Sequence, residues 1–106
     1  VYNRRKYPRL PMNNECEILI PSKNKQLNGK MVNISAGGYA FSCKGENFSG
    51  LIGEFVQIKI SDLDILQDKS LPGVVIRSSD DNGTYIVGCR MPEDNELIQK
   101  YVSEKM

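Results

Sequence analysis

Apolar and polar residues alternate over several short stretches of the chain, which is the pattern of half-buried β-strands. The clearest stretch is residues 55–60, in which Val56, Ile58 and Ile60 share one face. We predict six strands, at residues 15–20, 30–34, 39–43, 55–60, 71–78 and 85–91. Short strands at regular spacing favour a closed or nearly closed antiparallel barrel, because closure removes exposed strand edges.

Glycine-containing turns separate the predicted strands. Asn82-Gly83 is a strong hairpin signal, and Asn28-Gly29 predicts a turn before the strand at residues 30–34. Residues 35–38 predict a tight connection, since the paired glycines Gly37 and Gly38 tolerate positive φ angles. The acidic residues 61–70 fit either a short helical turn or a ragged strand extension.

From Glu93 the periodicity becomes helical, with acidic residues first and lysines later, as the helix dipole favours. The apolar stripe comprises Leu97, Ile98, Tyr101 and Val102. Such a helix can cover one open end of the barrel or pack on its side. We therefore predict a mainly all-β domain, a six-stranded antiparallel β-barrel with a C-terminal α-helix. Residues 1–14 form a basic N-terminal arm, residues 15–92 the barrel and residues 93–106 the helix of the same domain.

The composition bounds the class of protein. The chain has 106 residues, 40% apolar and 25% charged, which indicates one globular domain. No apolar run approaches the ~18 residues of a membrane span, so we expect no membrane insertion by this segment. The net charge of +1 argues against a broad basic surface for DNA or RNA.

Three cysteines, Cys16, Cys43 and Cys89, are widely spaced in strand-like surroundings. This pattern favours buried thiols in a reducing, cytoplasmic compartment over a disulfide framework or a metal cluster. Because the sequence begins with Val1 rather than Met, we expect it to be a piece of a longer protein.

Catalytic chemistry finds little support. The chain contains no histidine, the commonest general base and metal ligand. Its aspartates lie in predicted turns and in the acidic stretch, where they are typical turn formers. We predict no catalytic residue, no metal site and no cofactor, and an enzyme is the least favoured interpretation.

Binding chemistry is concentrated in the N-terminal arm. Four cations fall within six residues, at Arg4, Arg5, Lys6 and Arg9. Pro8 and Pro11 disfavour a helix there, so we expect an extended or turned arm. An arginine donates two parallel hydrogen bonds to a phosphate and also stacks on aromatic rings, which suits a nucleotide ligand. A frayed basic terminus is the alternative.

A second candidate element is Asn33-x-Ser35-x-x-Gly38. Asn33 and Ser35 are two residues apart at a strand end, so their side chains point the same way and offer an amide and a hydroxyl to one planar edge. Gly38 allows a ligand to approach the backbone. By itself the pattern is also that of an ordinary turn.

Taken together, the two elements resemble the signature of the PilZ domain family, bacterial receptors for the second messenger cyclic di-GMP. That signature is Arg-x-x-x-Arg followed by Asp/Asn-x-Ser-x-x-Gly, and all five positions match. They are Arg5, Arg9, Asn33, Ser35 and Gly38. The strands at residues 73–77 and 85–88 and the closing helix also resemble the family, so the similarity covers nearly the whole chain.

The resemblance implies a set of ligand contacts. Arg5 and Arg9 would bind phosphates or the N7/O6 edge of guanine, and Asn33 and Ser35 would bind the other guanine edge. Arg77 would stack on a second guanine. Asn33 stands where many members have aspartate, and its uncharged amide loses the charge-assisted bond to the guanine N1 and N2 donors, which lowers affinity.

The resemblance also implies a ratio and an output. An arginine at the position of Arg4 is associated in this family with two stacked, intercalated cyclic di-GMP molecules, so we predict two ligands per chain. The arm has few apolar residues, and we expect it to be mobile without ligand and ordered with it. Such ordering would change the orientation of a neighbouring domain or effector protein.

Two other binding functions stay open. Small barrels with arginine and tyrosine faces also bind single-stranded nucleic acid by stacking, although the near-neutral charge counts against this. Some PilZ domains are ligand-free protein adaptors, although those generally lack the arginines that this chain retains.

Overall fold

The structure is a computed structural model that describes residues 8–66 and 69–105. The strands in these residues are β1 (Leu10–Pro11), β2 (Glu15–Ile20), β3 (Lys25–Ser35), β4 (Gly38–Cys43), β5 (Phe55–Ile60), β6 (Leu71–Asp81) and β7 (Thr84–Arg90). A C-terminal helix, α1, spans Glu96–Lys105. Short 3-10 turns lie at Pro21–Lys23, Phe48–Leu51 and Asp64–Leu66.

Strands β2 to β7 form a closed antiparallel barrel. The order around the barrel is β3-β2-β5-β6-β7-β4, and β4 pairs with β3 to close it. The prediction of a six-stranded antiparallel barrel with a C-terminal helix is confirmed. The extra strand β1 pairs with β3, with Leu10 opposite Ile34 and Pro11 opposite Asn33. It therefore occupies the edge of β3 beyond the residues that pair with β2.

The inward faces of the strands make the core. Ile18, Ile58, Val75 and Val87 are fully buried, as period-two alternation requires. The 3-10 turn Phe48–Leu51 adds Phe48, whose ring meets that of Phe41 edge to face at 5.6 Å. Such aromatic pairs add about 1 kcal/mol beyond the burial of their area.

The turn predicted at Asn28-Gly29 is wrong. Strand β3 begins at Lys25, and the reversal after β2 is made by the 3-10 turn and by Asn24, whose φ is 51°. Gly29 lies within β3, where a Cβ would approach the carbonyl oxygen of Ser42 to 2.3 Å. The glycine is needed because β3 comes too close to β4 there for any side chain.

The helix begins three residues later than its sequence pattern indicates. Asn95 is the residue before the helix, and its Oδ1 accepts a hydrogen bond of 3.0 Å from the backbone N–H of Ile98. This is an N-cap, so the acidic residues Glu93 and Asp94 precede the helix rather than occupy its first turn. Ile98 and Val102 are buried, and α1 packs against β3 and the turn at Asp64–Leu66.

The predictions for the β6–β7 hairpin, the acidic stretch and the burial of the cysteines are confirmed. Asn82 and Gly83 have φ angles of 54° and 89° and close the β6–β7 hairpin. The acidic stretch contains a helical turn, Asp64–Leu66, rather than a strand extension. The three cysteines are free and buried. Burial raises the pKa of Cys16 and of Cys89 to about 12. In residues 8–66 and 69–105, no helix has the length and apolarity that crossing a bilayer requires.

Candidate functional site

Strand register brings four of the predicted site residues together on the outer face of the barrel. Directly opposed residues of an antiparallel pair share a face. One row across four strands consists of Asn33 on β3, Ala40 on β4, Gly88 on β7 and Arg77 on β6. The neighbouring positions Phe41 and Val87 are fully buried, so this row, which we call the first row, faces outward.

A second row lies two residues further along β3, β4 and β7 and three residues further along β6. It consists of Ser35, Gly38, Arg90 and Val74, again from β3, β4, β7 and β6. Adjacent strands lie about 4.8 Å apart, so each row spans about 14 Å from its first strand to its fourth. The two rows therefore form a continuous surface from the β3–β4 turn to β6.

Two β-bulges set which residues reach these rows. The registers of β3 with β4 and of β6 with β7 shift between Met31 and Asn33 and between Val75 and Arg77. The extra residues are Val32 and Ile76. Bulges re-aim side chains and are frequent next to binding sites. Without the bulges, strict alternation from the buried residues Met31 and Val75 would place Asn33 and Arg77 inward. With the bulges, Asn33 and Arg77 lie in the outward-facing first row.

Arg77 rests across β7. A Cβ built on Gly88 would come within 2.7 Å of its Nε and 3.2 Å of its Cζ. The guanidinium therefore crosses the neighbouring strand at the position where that strand lacks a side chain. Since the residue as a whole is exposed, its planar group is available as a stacking surface.

Asn33 contains an unused acceptor. Its Oδ1 is buried and has no hydrogen-bond partner among the described residues. Most buried side-chain polar atoms in folded proteins are paired, so such an atom at a surface row indicates a missing donor. On the β1 side, the residue opposite is Pro11, which has no backbone N–H to offer.

Ser35 and Gly38 shape the β3–β4 turn. The Ser35 hydroxyl donates to the Gly38 carbonyl and accepts from the Gly37 N–H, both at 3.3 Å. Neither Gly37 nor Gly38 uses the positive φ angles that glycine tolerates. Gly38 is needed for a different reason: a Cβ there would lie 2.4 Å from the carbonyl oxygen of Cys89.

A cleft of about 590 Å³ opens beside the second row. This volume is typical of small-ligand sites. The lining includes Arg9, Ser35, Gly38, Val74, Ile76, Arg90 and Asp94. Two arginines and one carboxylate make the lining net positive, which favours an anion. Asn33 and Arg77 are outside this lining, in the adjacent first row.

The arm reaches the site through β1. Arg9 directly precedes β1, and the N–H of Met12 donates to the carbonyl of Val32 at 3.0 Å. The chain after Arg9 is therefore fixed beside Asn33. Arg4 and Arg5 lie outside the described residues. Tyr39 on β4 is in the core, where its hydroxyl donates to the carbonyl of Leu71 at 3.2 Å.

Arg90 is the site residue that sequence reasoning missed. It is exposed at the end of β7, between Gly38 and Val74 in register. The alternation of buried Val87 and Cys89 predicts that Gly88 and Arg90 face outward. The pairing of β7 with β4 is what places Arg90 at the turn, and this pairing is not readable from residues 85–91 alone.

Comparisons with known proteins agree with this architecture. The family model of the PilZ domain matches residues 3–104. No curated protein sequence matches the chain significantly. The Bacillus subtilis inhibitor of motility (MotI/DgrA) is 20% identical, with a TM-score of 0.72 over 98% of this chain and 52% of that one.

Two further similar solved structures contain c-di-GMP. The PilZ domain with c-di-GMP of YcgR from Escherichia coli is 16% identical, with a TM-score of 0.71 over 97% of this chain and 88% of that one. The K. pneumonia MrkH–c-di-GMP complex is 16% identical, with a TM-score of 0.73 over 99% and 53%. The chain thus spans about half the length of MotI and MrkH.

At these identities the solved structures establish the fold, while membership rests on the family model. That model covers 102 residues, from 3 to 104, of a chain of 106. It includes all but the first two residues of the arm, the whole barrel and nearly all of the helix. The chain belongs to the PilZ domain family.

Proposed function

We propose that this PilZ domain is a receptor for cyclic di-GMP, which lies on the outer face of the barrel along the two rows and the cleft. The observation that carries the proposal is the buried, unpaired Oδ1 of Asn33 in the first row, three strands from the exposed guanidinium of Arg77. An acceptor at one end and a flat cation at the other suit the edge and the face of a purine.

Asn33 binds the N1–H or N2–H of one guanine. An unsatisfied buried acceptor costs about 1–3 kcal/mol in the empty protein, and a guanine donor removes that cost. Ser35 supports this contact by holding the turn through its two hydrogen bonds to Gly37 and Gly38. Its hydroxyl oxygen retains a lone pair for the ligand.

The arm supplies the phosphate contacts. Arg9 lines the cleft and Arg5 precedes it by four residues, so both bind the phosphates or the N7/O6 edge of a guanine. Arg77 stacks on the second guanine. Arg4 adds the charge that a second, intercalated ligand molecule requires, so two molecules bind per chain.

Binding orders the arm across the barrel. The strand β1 fixes the chain after Arg9 on β3, so the segment before it is the part that the ligand recruits. A neighbouring domain or an effector protein reads the change, because the ordered arm fixes the direction in which the preceding chain leaves the barrel. The ligands in the YcgR and MrkH structures support the choice of cyclic di-GMP.

Isothermal calorimetry with cyclic di-GMP tests the proposal. We expect two ligands per chain, loss of measurable binding in Arg5→Ala, and about 1–3 kcal/mol weaker binding in Asn33→Ala from the lost buried hydrogen bond. Asn28→Ala is the matched control, because Asn28 is an exposed amide on the same strand.

Each result has a distinct meaning. A ratio of one ligand removes the intercalated pair and leaves the receptor function. Absence of heat with cyclic di-GMP, together with binding of a single-stranded oligonucleotide, would replace the receptor by a nucleic-acid-binding barrel. Absence of both would leave a protein adaptor.

A further inference from the structure

Among the described residues that line the cleft, Arg90 is the one cation that the barrel itself holds. It lies at the end of β7, in register with Gly38 on one side and Val74 on the other. Both neighbours are uncharged, and within residues 8–66 and 69–105 no carboxylate forms a salt bridge with it. Its charge is therefore left to the solvent and to whatever enters the cleft.

A second guanidinium faces the same space. Arg9 lines the cleft from the arm side, and Arg90 lines it from β7. An anion that enters the cleft is attracted by both guanidiniums. Asp94 belongs to the lining as well, so the charged side chains of the described lining are two guanidiniums and one carboxylate, and their net charge is positive.

We propose that Arg90 is a phosphate-binding residue of this domain, positioned on the barrel in addition to the arginines of the arm. This inference rests on the proposed function, because the phosphate is that of cyclic di-GMP. The geometry favours phosphate over base. Arg90 lies on β7 two residues beyond Gly88, which is the register partner of Arg77. Arg90 is therefore outside the first row, in which Asn33 and Arg77 bind the purines under the proposed function.

The two kinds of arginine have different roles. Arg90 is held by a barrel strand, whereas Arg9 is held by the arm directly before β1, and both line the cleft. A planar guanidinium forms two parallel hydrogen bonds to phosphate, and a lysine keeps the charge but not the fork. The site thus holds one phosphate between a cation of the barrel and a cation of the arm.

The test is calorimetric titration of cyclic di-GMP into the unaltered chain, Arg90→Ala and Arg90→Lys, at low and at high NaCl concentration. We expect about tenfold to hundredfold weaker binding for Arg90→Ala, as for a lost charge-assisted hydrogen bond, and an intermediate loss for Arg90→Lys. The affinity of Arg90→Ala should also fall less steeply with salt, because one ionic contact is gone.

Lys59→Ala is the control. Lys59 is an exposed cation on β5, opposite Glu17, and it is absent from the cleft lining. Its removal changes net charge by the same amount and should leave affinity unchanged. Chemical denaturation of all variants reports folding, and we expect no change for Arg90→Ala because the side chain is exposed.

The outcomes separate the two proposals. If the unaltered chain binds cyclic di-GMP and Arg90→Ala binds it equally well with the same salt dependence, the role of Arg90 is refuted and the receptor function stands. If the unaltered chain does not bind, the receptor function fails and the role of Arg90 fails with it. If Lys59→Ala lost as much affinity for cyclic di-GMP as Arg90→Ala, the loss would be an effect of net charge alone, and the inference would also be refuted.

Discussion

The contact between Arg77 and Gly88 gives a substitution that should separate ligand binding from folding. A Cβ on Gly88 would lie 2.7 Å from Nε and 2.9 Å from Cγ of Arg77, closer than such atoms can approach. These atoms belong to a long, exposed side chain that can move away. Gly88→Ala should therefore push the guanidinium off its position across β7 while the strand pairing stays intact.

The expected magnitudes follow from what moves. If Arg77 stacks on a guanine, its displacement costs the stacking energy of about 0.5–2 kcal/mol, or about twofold to thirtyfold in affinity. Folding gains rather than loses, because alanine restricts the unfolded chain by about 0.4–1 kcal/mol relative to glycine. Binding and stability should thus change in opposite directions.

The assay pairs calorimetry with cyclic di-GMP and urea denaturation for Gly88→Ala, Arg77→Ala and the double variant. The two single losses of affinity should not add, because both remove the same stacking contact. Gly50→Ala is the control, since a Cβ at Gly50 would meet nothing within 4 Å. Unchanged affinity in Gly88→Ala would refute the stacking role of Arg77. A large loss of stability would refute the argument that the Arg77 side chain can move away from the added Cβ.

Three further predictions concern the turn and the core. Gly38→Ala should destabilise the fold by more than 1 kcal/mol in urea denaturation, because the added Cβ meets the backbone oxygen of Cys89 at 2.4 Å, and unchanged stability would contradict the close approach. Asn33→Asp should bind cyclic di-GMP about tenfold more tightly in calorimetry, because the bond to guanine becomes charge-assisted, and weaker binding would contradict the contact. Burial raises the pKa of Cys16 and Cys89 from 9.0 to about 12, so the folded state keeps protons that the unfolded state loses. The contribution of these thiols to the free energy of unfolding should be constant below about pH 9 and fall between about pH 9 and 12, by up to ~1.4 kcal/mol per pH unit for each thiol. Urea denaturation at a series of pH values measures this fall. In Cys89→Ala the free energy of unfolding should decrease less steeply with pH, because one of the two thiols is absent.

The barrel was predictable because its strands are buried on one face and therefore alternate in polarity. Residues 55–60 predict β5 with the observed bounds for this reason. The strand β1 was missed because two residues carry no period, and one of them is Pro11. Asn28-Gly29 misled because a glycine required by a close strand contact has the same sequence signature as one required by a turn.

The candidate site also contains a part that the sequence predicts and a part that depends on strand pairing. Asn33, Ser35 and Gly38 belong to one short motif, so the sequence alone brings them together. Arg90 and the contact of Arg77 with Gly88 depend on which strands pair and in what register, and each requires partners distant along the chain. The bulge at Ile76 shifts that register by one residue, and the pattern of apolar and polar residues in β6 does not predict this bulge.

Closure of the barrel also bears on how the chain behaves at high concentration. Each of the six barrel strands has a partner on both sides, and of the described strands β1 alone pairs on one side. Its two residues include a proline, which offers no N–H to an incoming strand. Among the described strands, intermolecular strand addition, the first step towards fibrils, therefore finds its template mainly at residues 25–28 of β3 and 76–81 of β6, which pair with a strand on one side alone.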